Sequence, residues 1–209
     1  MAELPPGVAL VTVVKGRTTE EIREAVAAGA RILGENYLQE AEQIQGIAGK
    51  GITWHFIGHL QRNKVKKAVN MFDMIETVDS LVLARDIAAA SAALNRTMPV
   101  LIEVNSGREK QKAGLLPEEV IPAAREIARL QHLKLAGLMT MGPRVGEPEA
   151  ARPYFTTTRQ LFKELQDSLI PNTEMKYLSM GMSNSYRIAL QEGANIVRIG
   201  RQIFEKNPG

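Results

Sequence analysis

The chain has 209 residues, 44% of them hydrophobic and 23% charged, with no cysteine and a formal net charge of +3. That length and balance suit one globular domain spanning residues 1–209, and they exclude a disordered tail, a collagen and a coiled coil. Without cysteine there is no disulfide framework, thiolate metal site or cysteine nucleophile, and so thin a charge excess gives little field for nucleic acid.

The opening residues Met1 to Pro6 lack a basic segment and a long apolar core, so they do not read as a signal peptide. No stretch reaches the roughly 18 apolar residues of a membrane span. Together with the missing cysteines, this gives the cytoplasm as the expected location.

Residues 8–14 are apolar and β-branched after Pro5-Pro6-Gly7, the pattern of a buried strand. Thr18 and Glu21 have capping-box spacing, Ile22, Ala25 and Val26 share a helical face, and Gly29 ends that helix. The pattern then repeats. Strands are predicted over 31–33, 53–57, 73–77, 99–104, 134–138, 175–178 and 195–199. The helices between them run through Ile44, Val65, Ile87, Val120, Phe162 and Ile188. Ser80 is placed to cap the fourth helix, and Pro117 to occupy the first turn of the fifth. Gly142 to Pro148 is the most punctuated loop.

Eight strands with seven clear intervening helices require parallel pairing with crossover connections. The expected fold is a single α/β (β/α)8 TIM barrel, with an open doubly wound sheet as the competitor. The count of eight favours the barrel, as does the lack of Gly-x-Gly-x-x-Gly after the first strand.

In such barrels, sites are built just past the C-terminal ends of the strands. Lys15 follows the first strand; Glu35, Asn36 and Tyr37 the second; Gly58, His59, Gln61 and Asn63 the third. Asn105 ends the fifth strand and Met139-Thr140-Met141 the sixth. Ser179-Met-Gly-Met-Ser183 follows the seventh, and Gly200 and Arg201 the eighth. A partly desolvated amine at a barrel mouth can attack a carbonyl, which is Schiff-base chemistry. Taken alone, Lys15 reads better as a lysine simply emerging into solvent after a strand. Ser183 is a candidate helix N-cap, and Gly200 lets the backbone approach closely. They occupy the two loops where barrels commonly bind phosphate. Arg198 shares a side of its strand with Gly200 and needs an acceptor if buried, either an internal carboxylate or a ligand atom.

Other features read more plainly. His55 and Trp54 suit satisfied core positions, and Glu103 an isolated carboxylate paired with a neighbouring cation. The cluster Arg62, Lys64, Lys66 and Lys67 suits a solvated helix face. No spacing suggests a metal site.

A lysine after strand one with a phosphate cup after strands seven and eight describes a pyridoxal-phosphate barrel. The residues that carry the resemblance run almost end to end: Val13-Val-Lys15, Gly34-Glu-Asn36 with Gln39-Glu40, His55-Phe-Ile-Gly-His-Leu-Gln61 with Asn63-Lys64, Val104-Asn105 with Lys112 and Gly114, Gly137-Leu-Met139, Ser179-Met-Gly-Met-Ser183 and Val197-Arg-Ile-Gly200. On these the chain closely resembles the pyridoxal-phosphate homeostasis family, of YggS/PROSC type. That family is similar in fold to the N-terminal barrel of alanine racemase.

The resemblance implies that Lys15 holds pyridoxal 5′-phosphate as an internal aldimine and that Arg198 faces the pyridine nitrogen, weakening the ring as an electron sink. It implies that Ser183, Gly200 and Arg201 hold the phosphate and that Asn36 and Met139 line the ring pocket. It also implies a monomer that carries or buffers the cofactor without catalytic turnover, with pyridoxal-phosphate-dependent apo-enzymes as recipients and no nucleic-acid or membrane partner. The alternatives are a racemase-like enzyme on amino acids and an aldolase-like Schiff-base barrel acting on a phosphorylated sugar.

Three departures stand out. The first strand begins near residue 8, without the long helix the family usually carries ahead of it. Asn184-Ser-Tyr-Arg187 stands where the family usually has an acidic residue. Arg201 replaces a usual threonine, which keeps a backbone contact but removes a hydroxyl.

Overall fold

A computed structural model describes residues 4–143 and 147–205. The centre of the punctuated loop, residues 144–146, lies outside them, as do residues 1–3 of the opening run. In chain order the elements are β1 (Ala9–Val13), α1 (Thr19–Ala27), β2 (Ile32–Glu35), α2 (Leu38–Ala48), β3 (Thr53–Phe56), α3 (Val65–Met71), β4 (Met74–Val78) and α4 (Leu81–Ala93). There follow β5 (Met98–Val104), α5 (Pro117–Ile127), β6 (Leu133–Thr140), α6 (Arg152–Asp167), β7 (Thr173–Ser179), α7 (Tyr186–Gln191), β8 (Ile196–Ile199) and α8 (Arg201–Phe204). Short 3-10 turns precede α3 (Arg62–Lys64) and α6 (Pro148–Ala151).

The eight strands close into one parallel barrel in chain order. Closure is carried by β1 against β8, where Val11 pairs with Arg198, and this rules out the open sheet. Three strands run further than local pattern predicts, among them β7, which spans Thr173–Ser179. β2 includes Gly34 and Glu35 because they pair with His55 and Phe56, and β6 reaches Thr140, which pairs with Val104. Pairing with a neighbour extends a strand beyond its own apolar run. The unpredicted α8 is a single four-residue turn.

Local signals act as expected at several helix starts. Glu21 N–H donates to Thr18 Oγ1 at 3.2 Å and Thr18 N–H to Glu21 Oε2 at 2.8 Å, a complete capping box. Leu83 N–H donates to Ser80 Oγ at 3.2 Å. Pro117 occupies the first turn of α5.

The main core lies between barrel and helices. Leu33, Phe56, Ile75, Ile102 and Phe155 are buried there, each contributing roughly 1.5–3 kcal/mol. Phe56 and Phe72 meet edge to face at 5.2 Å. A second apolar cluster of Met74, Leu101, Ala136 and Met139 fills the barrel interior. Two residues further along the same strands, toward the mouth, stand Glu76, Glu103 and Met141. The barrel floor is therefore apolar and the next tier polar. No described helix is long and apolar enough to cross a membrane.

Candidate functional site

A cavity of about 600 Å³ opens at the C-terminal mouth of the barrel. Lys15, Asn36, Ser183, Arg198, Gly200 and Arg201 line it, with Val13, Ile57, Met141 and Met182 as its apolar wall. The structure thus gathers six of the seven residues singled out from the sequence. The seventh, Met139, is fully buried in the interior cluster below, and Met141, one turn of the pleat further on, lines the cavity in its place.

Lys15 sits in a tight turn off β1. Val14 N–H donates to Gly34 O at 3.0 Å, and Arg17 N–H returns to Val14 O at 3.0 Å. Gly16, at φ +65°, closes the turn, and its N–H donates to Glu40 Oε2 at 2.8 Å. The lysine side chain is exposed at the rim, its Nζ 5.0 Å from the centre of the Tyr37 ring. Asn36 follows β2 and is held by Glu35, whose Oε1 accepts from the N–H groups of Asn36 at 2.6 Å and Tyr37 at 3.1 Å. Glu35 itself does not line the cavity. It is buried, its Oε2 has no partner among the described residues, and burial raises its pKa to about 7 against those two N–H groups.

Gly58 fixes where Asn36 lies. A Cβ on it would stand 2.3 Å from Asn36 O and 2.7 Å from Asn36 Cα, both backbone atoms that no rotamer change can move. We expect Gly58→Ala to lower stability by about 2 kcal/mol through overpacking and to displace Asn36. Chemical denaturation checks this, and an unchanged midpoint would show that the two loops part freely.

Arg198 forms the cavity floor and is only 4% exposed. Its Nη1 donates to Ser179 Oγ at 2.6 Å and its Nη2 to Thr140 O at 2.9 Å. Ser179 Oγ in turn donates to Glu76 Oε2 at 2.6 Å, and Glu76 Oε1 meets His55 Nδ1 at 2.6 Å. β4 and β7 are not neighbours, so the Glu76–Ser179 bond crosses the barrel interior. His55 is therefore a satisfied buried residue, as its sequence context indicates. Glu76 is the member that sequence inspection misses. Its signal is an acid between Ile75 and Thr77 in an otherwise buried strand.

Ser183 is not the helix N-cap expected of it. α7 starts at Tyr186 with Ser185 as N-cap, because a turn intervenes in which Ser185 and Tyr186 N–H both donate to Met182 O. Ser183 instead faces the other loop, its Oγ 3.5 Å from Gln202 N. The first N–H groups of α8 have no acceptor within the helix. Gly200 keeps this loop close to β1, since a Cβ there would lie 3.1 Å from Val13 O. Among the described residues the lining includes three cations, Lys15, Arg198 and Arg201, and no carboxylate. That charge set and the loop backbone suit an anionic ligand.

Glu103 does not pair as expected. Among the described residues no cation lies within 4 Å of its carboxylate, because Arg198 is drawn to Ser179 and Thr140 and Lys112 to Glu109. Burial, reinforced by Asp79, raises its pKa to about 7. Outside the cavity, Arg62 pairs with Asp86 at 2.5 Å and Lys67 with Glu42 at 2.5 Å, so half of the basic cluster is neutralised locally. His59 pairs with Asp79 at 3.2 Å, and Asn105 staples its own loop through Glu109 and Lys112.

A closed (β/α)8 barrel with a lysine at the rim, an arginine on the floor and a cationic recess between the last two loops defines a class. It is a barrel protein built to hold an anionic small molecule beside an amine. The sequence profile described as "Alanine racemase, N-terminal domain" matches residues 1–208. A pyridoxal phosphate homeostasis protein of Aquifex aeolicus (strain VF5) is 40% identical over 186 residues, covering 88% of this chain and 81% of the relative. Another, of Pasteurella multocida (strain Pm70), is 38% identical over 200 residues, covering 94% and 85%. The structure of PipY from Synechococcus elongatus PCC7942 with PLP bound superposes with a TM-score of 0.88 at 35% identity, covering 97% of this chain and 95% of that one. The chain belongs to the alanine racemase N-terminal domain family, in the branch of the pyridoxal phosphate homeostasis proteins.

Proposed function

We propose that this protein binds pyridoxal 5′-phosphate at the barrel mouth and carries or buffers it as a monomer, supplying apo-enzymes that need it. The observation that carries the reading is the single cavity lined by Lys15, Arg198 and the two loops at Ser183 and Gly200, with three cations and no acid among the described residues. The residues present fit the cofactor. Ser183 Oγ and the backbone at Gly200 and Arg201 would grip its phosphate, Arg198 would face the ring nitrogen, and Asn36 with Met141 would flank the ring. When bound, the cofactor supplies an aldehyde that an amine can capture. Lys15 is the one amine among the described residues that line the cavity, and its turn holds it at the rim.

The carrier reading is favoured over racemisation by the acid–base inventory. Arginines stay protonated, so among the described residues the cavity lining offers Lys15 as one exchangeable group. Moving a proton between the two faces of a substrate carbon calls for two such groups.

The test is a titration with pyridoxal 5′-phosphate followed in the visible range, then borohydride reduction and peptide mapping. A saturable band at one cofactor per chain, with the label on Lys15, supports the reading. A folded protein that stays colourless overturns it, and cleavage of a phosphorylated sugar by that colourless protein would establish the aldolase-like alternative.

A further inference from the structure

Below the cavity floor, Glu76 is a fully buried carboxylate that the ligand-holding residues above do not account for. Both of its oxygens are engaged, Oε1 with His55 and Oε2 with Ser179. An ionised carboxylate only accepts hydrogen bonds, so the single Ser179 hydroxyl proton is committed to Glu76. The Ser179 lone pairs are then presented to Arg198 Nη1 at 2.6 Å. Arg198 Nη2 is fixed separately by Thr140 O. Two of the five guanidinium N–H groups are thus held from within the barrel, leaving the others for the cavity that Arg198 lines.

The spacing of the two charges matters as much as the bonds. Glu76 Oε2 lies 3.9 Å from Arg198 Nη1, with the serine hydroxyl bridging them. A direct two-pronged pair would occupy two donors and draw the guanidinium down, away from any ligand. The intervening Ser179 lets the acid neutralise the arginine without capturing it. Burial opposes the charge on Glu76, but His55, Arg198 and Ser179 outweigh it and hold the carboxyl below the usual carboxylate range. Burial likewise pulls the Arg198 pKa down, against the charges of Glu76 and Glu103.

We propose that Glu76 is a positioning residue for the bound cofactor: through Ser179 it sets the orientation of the Arg198 guanidinium that faces the ring nitrogen. This rests on the pyridoxal-phosphate reading of the cavity. The guanidinium then has one fixed direction before the ligand arrives, a preorganisation that strengthens a hydrogen bond made inside a low-dielectric site.

The experiment compares wild type, Glu76→Gln, Ser179→Ala and the double variant, each titrated with pyridoxal 5′-phosphate. Both single variants are expected to shift the absorption maximum of the bound cofactor in the same direction. Each should raise its Kd about tenfold, the scale of one charge-assisted hydrogen bond. The double variant should shift no further than the larger single effect, because both changes cut one link. Leu101→Ala, which loosens the same interior without touching these bonds, should lower the melting temperature and leave the absorption maximum in place. Should Glu76→Gln not fold, Ser179→Ala carries the test alone, with the same shift expected. Wild-type absorption and Kd in the single variants, or single effects that simply add, would overturn the proposal. A wild-type protein that binds no pyridoxal 5′-phosphate overturns the underlying reading, and this inference falls with it.

Discussion

Lys15→Ala is expected to abolish covalent capture of pyridoxal 5′-phosphate under borohydride while leaving the barrel as stable as the wild type. The two halves of that expectation have separate causes. Lys15 is exposed at the rim, and its one aromatic contact is the Tyr37 ring at 5.0 Å. The bonds that shape its turn run through the backbone of Val14, Gly16 and Arg17 and through Glu40, none of them through the lysine side chain. Truncating it should therefore change stability by no more than about 0.5 kcal/mol. Chemically the loss is complete, because no other amine among the described residues lines the cavity. The phosphate-binding loops and Arg198 remain, so weak, reversible binding should persist. Intact mass after reduction measures the outcome, with a denaturation curve beside it. A Lys15→Ala protein that still gained the cofactor's mass would show that another lysine is the acceptor, and peptide mapping would say which.

The barrel is legible in the sequence because short apolar runs alternate with amphipathic helical stretches, and several of the helices carry their own start signal. Thr18 with Glu21, Ser80 and Pro117 all act where local chemistry places them. What local pattern hides is set by pairing across the sheet. β2 continues through Gly34 and Glu35 because β1 and β3 lie beside it, and β6 reaches Thr140 because β5 does. The same division holds at the site. Lys15, Arg198 and Gly200 are found by counting to the ends of strands, since a parallel barrel brings all such ends to one face. Ser183 reaches that face by a different route from a helix cap, because the Met182–Ser185 turn delays α7. Met139 and Met141 share one face of β6, and depth along the strand, which alternation does not reveal, decides that only the latter lines the cavity. Glu76 is hidden for a further reason. Its partners His55, Ser179 and Arg198 come from three other strands, so its role exists only after closure.

Glu103→Gln is expected to make the protein more stable at pH 8 and to leave it nearly unchanged at pH 4. Glu103 is 7% exposed on β5, in the same tier as Glu76 but outside its hydrogen bonds. Burial is the largest cause of its raised pKa, Asp79 adds to it, and Arg198 and Lys112 oppose it without contact. A carboxyl whose pKa rises from an ordinary 4.5 to about 7 on folding favours the native state only while protonated. That contribution is fully present below about 4.5, fades as the pH climbs, and is gone above 7. Past that point the native state carries a buried charge at a cost of about 3 kcal/mol relative to the unfolded chain. Glutamine keeps the shape and cannot ionise, so the variant escapes the cost. Urea denaturation of both proteins from pH 4 to pH 8 measures it, and the gap between the two curves should open through pH 5 to 7. Parallel curves would mean that the Glu103 carboxyl finds a partner when it ionises. Arg198 is the stronger of the two cations that already oppose the shift, and a guanidinium turned toward Glu103 would be turned away from Ser179. The pH profile of this variant therefore also reports on how firmly the cavity floor is held.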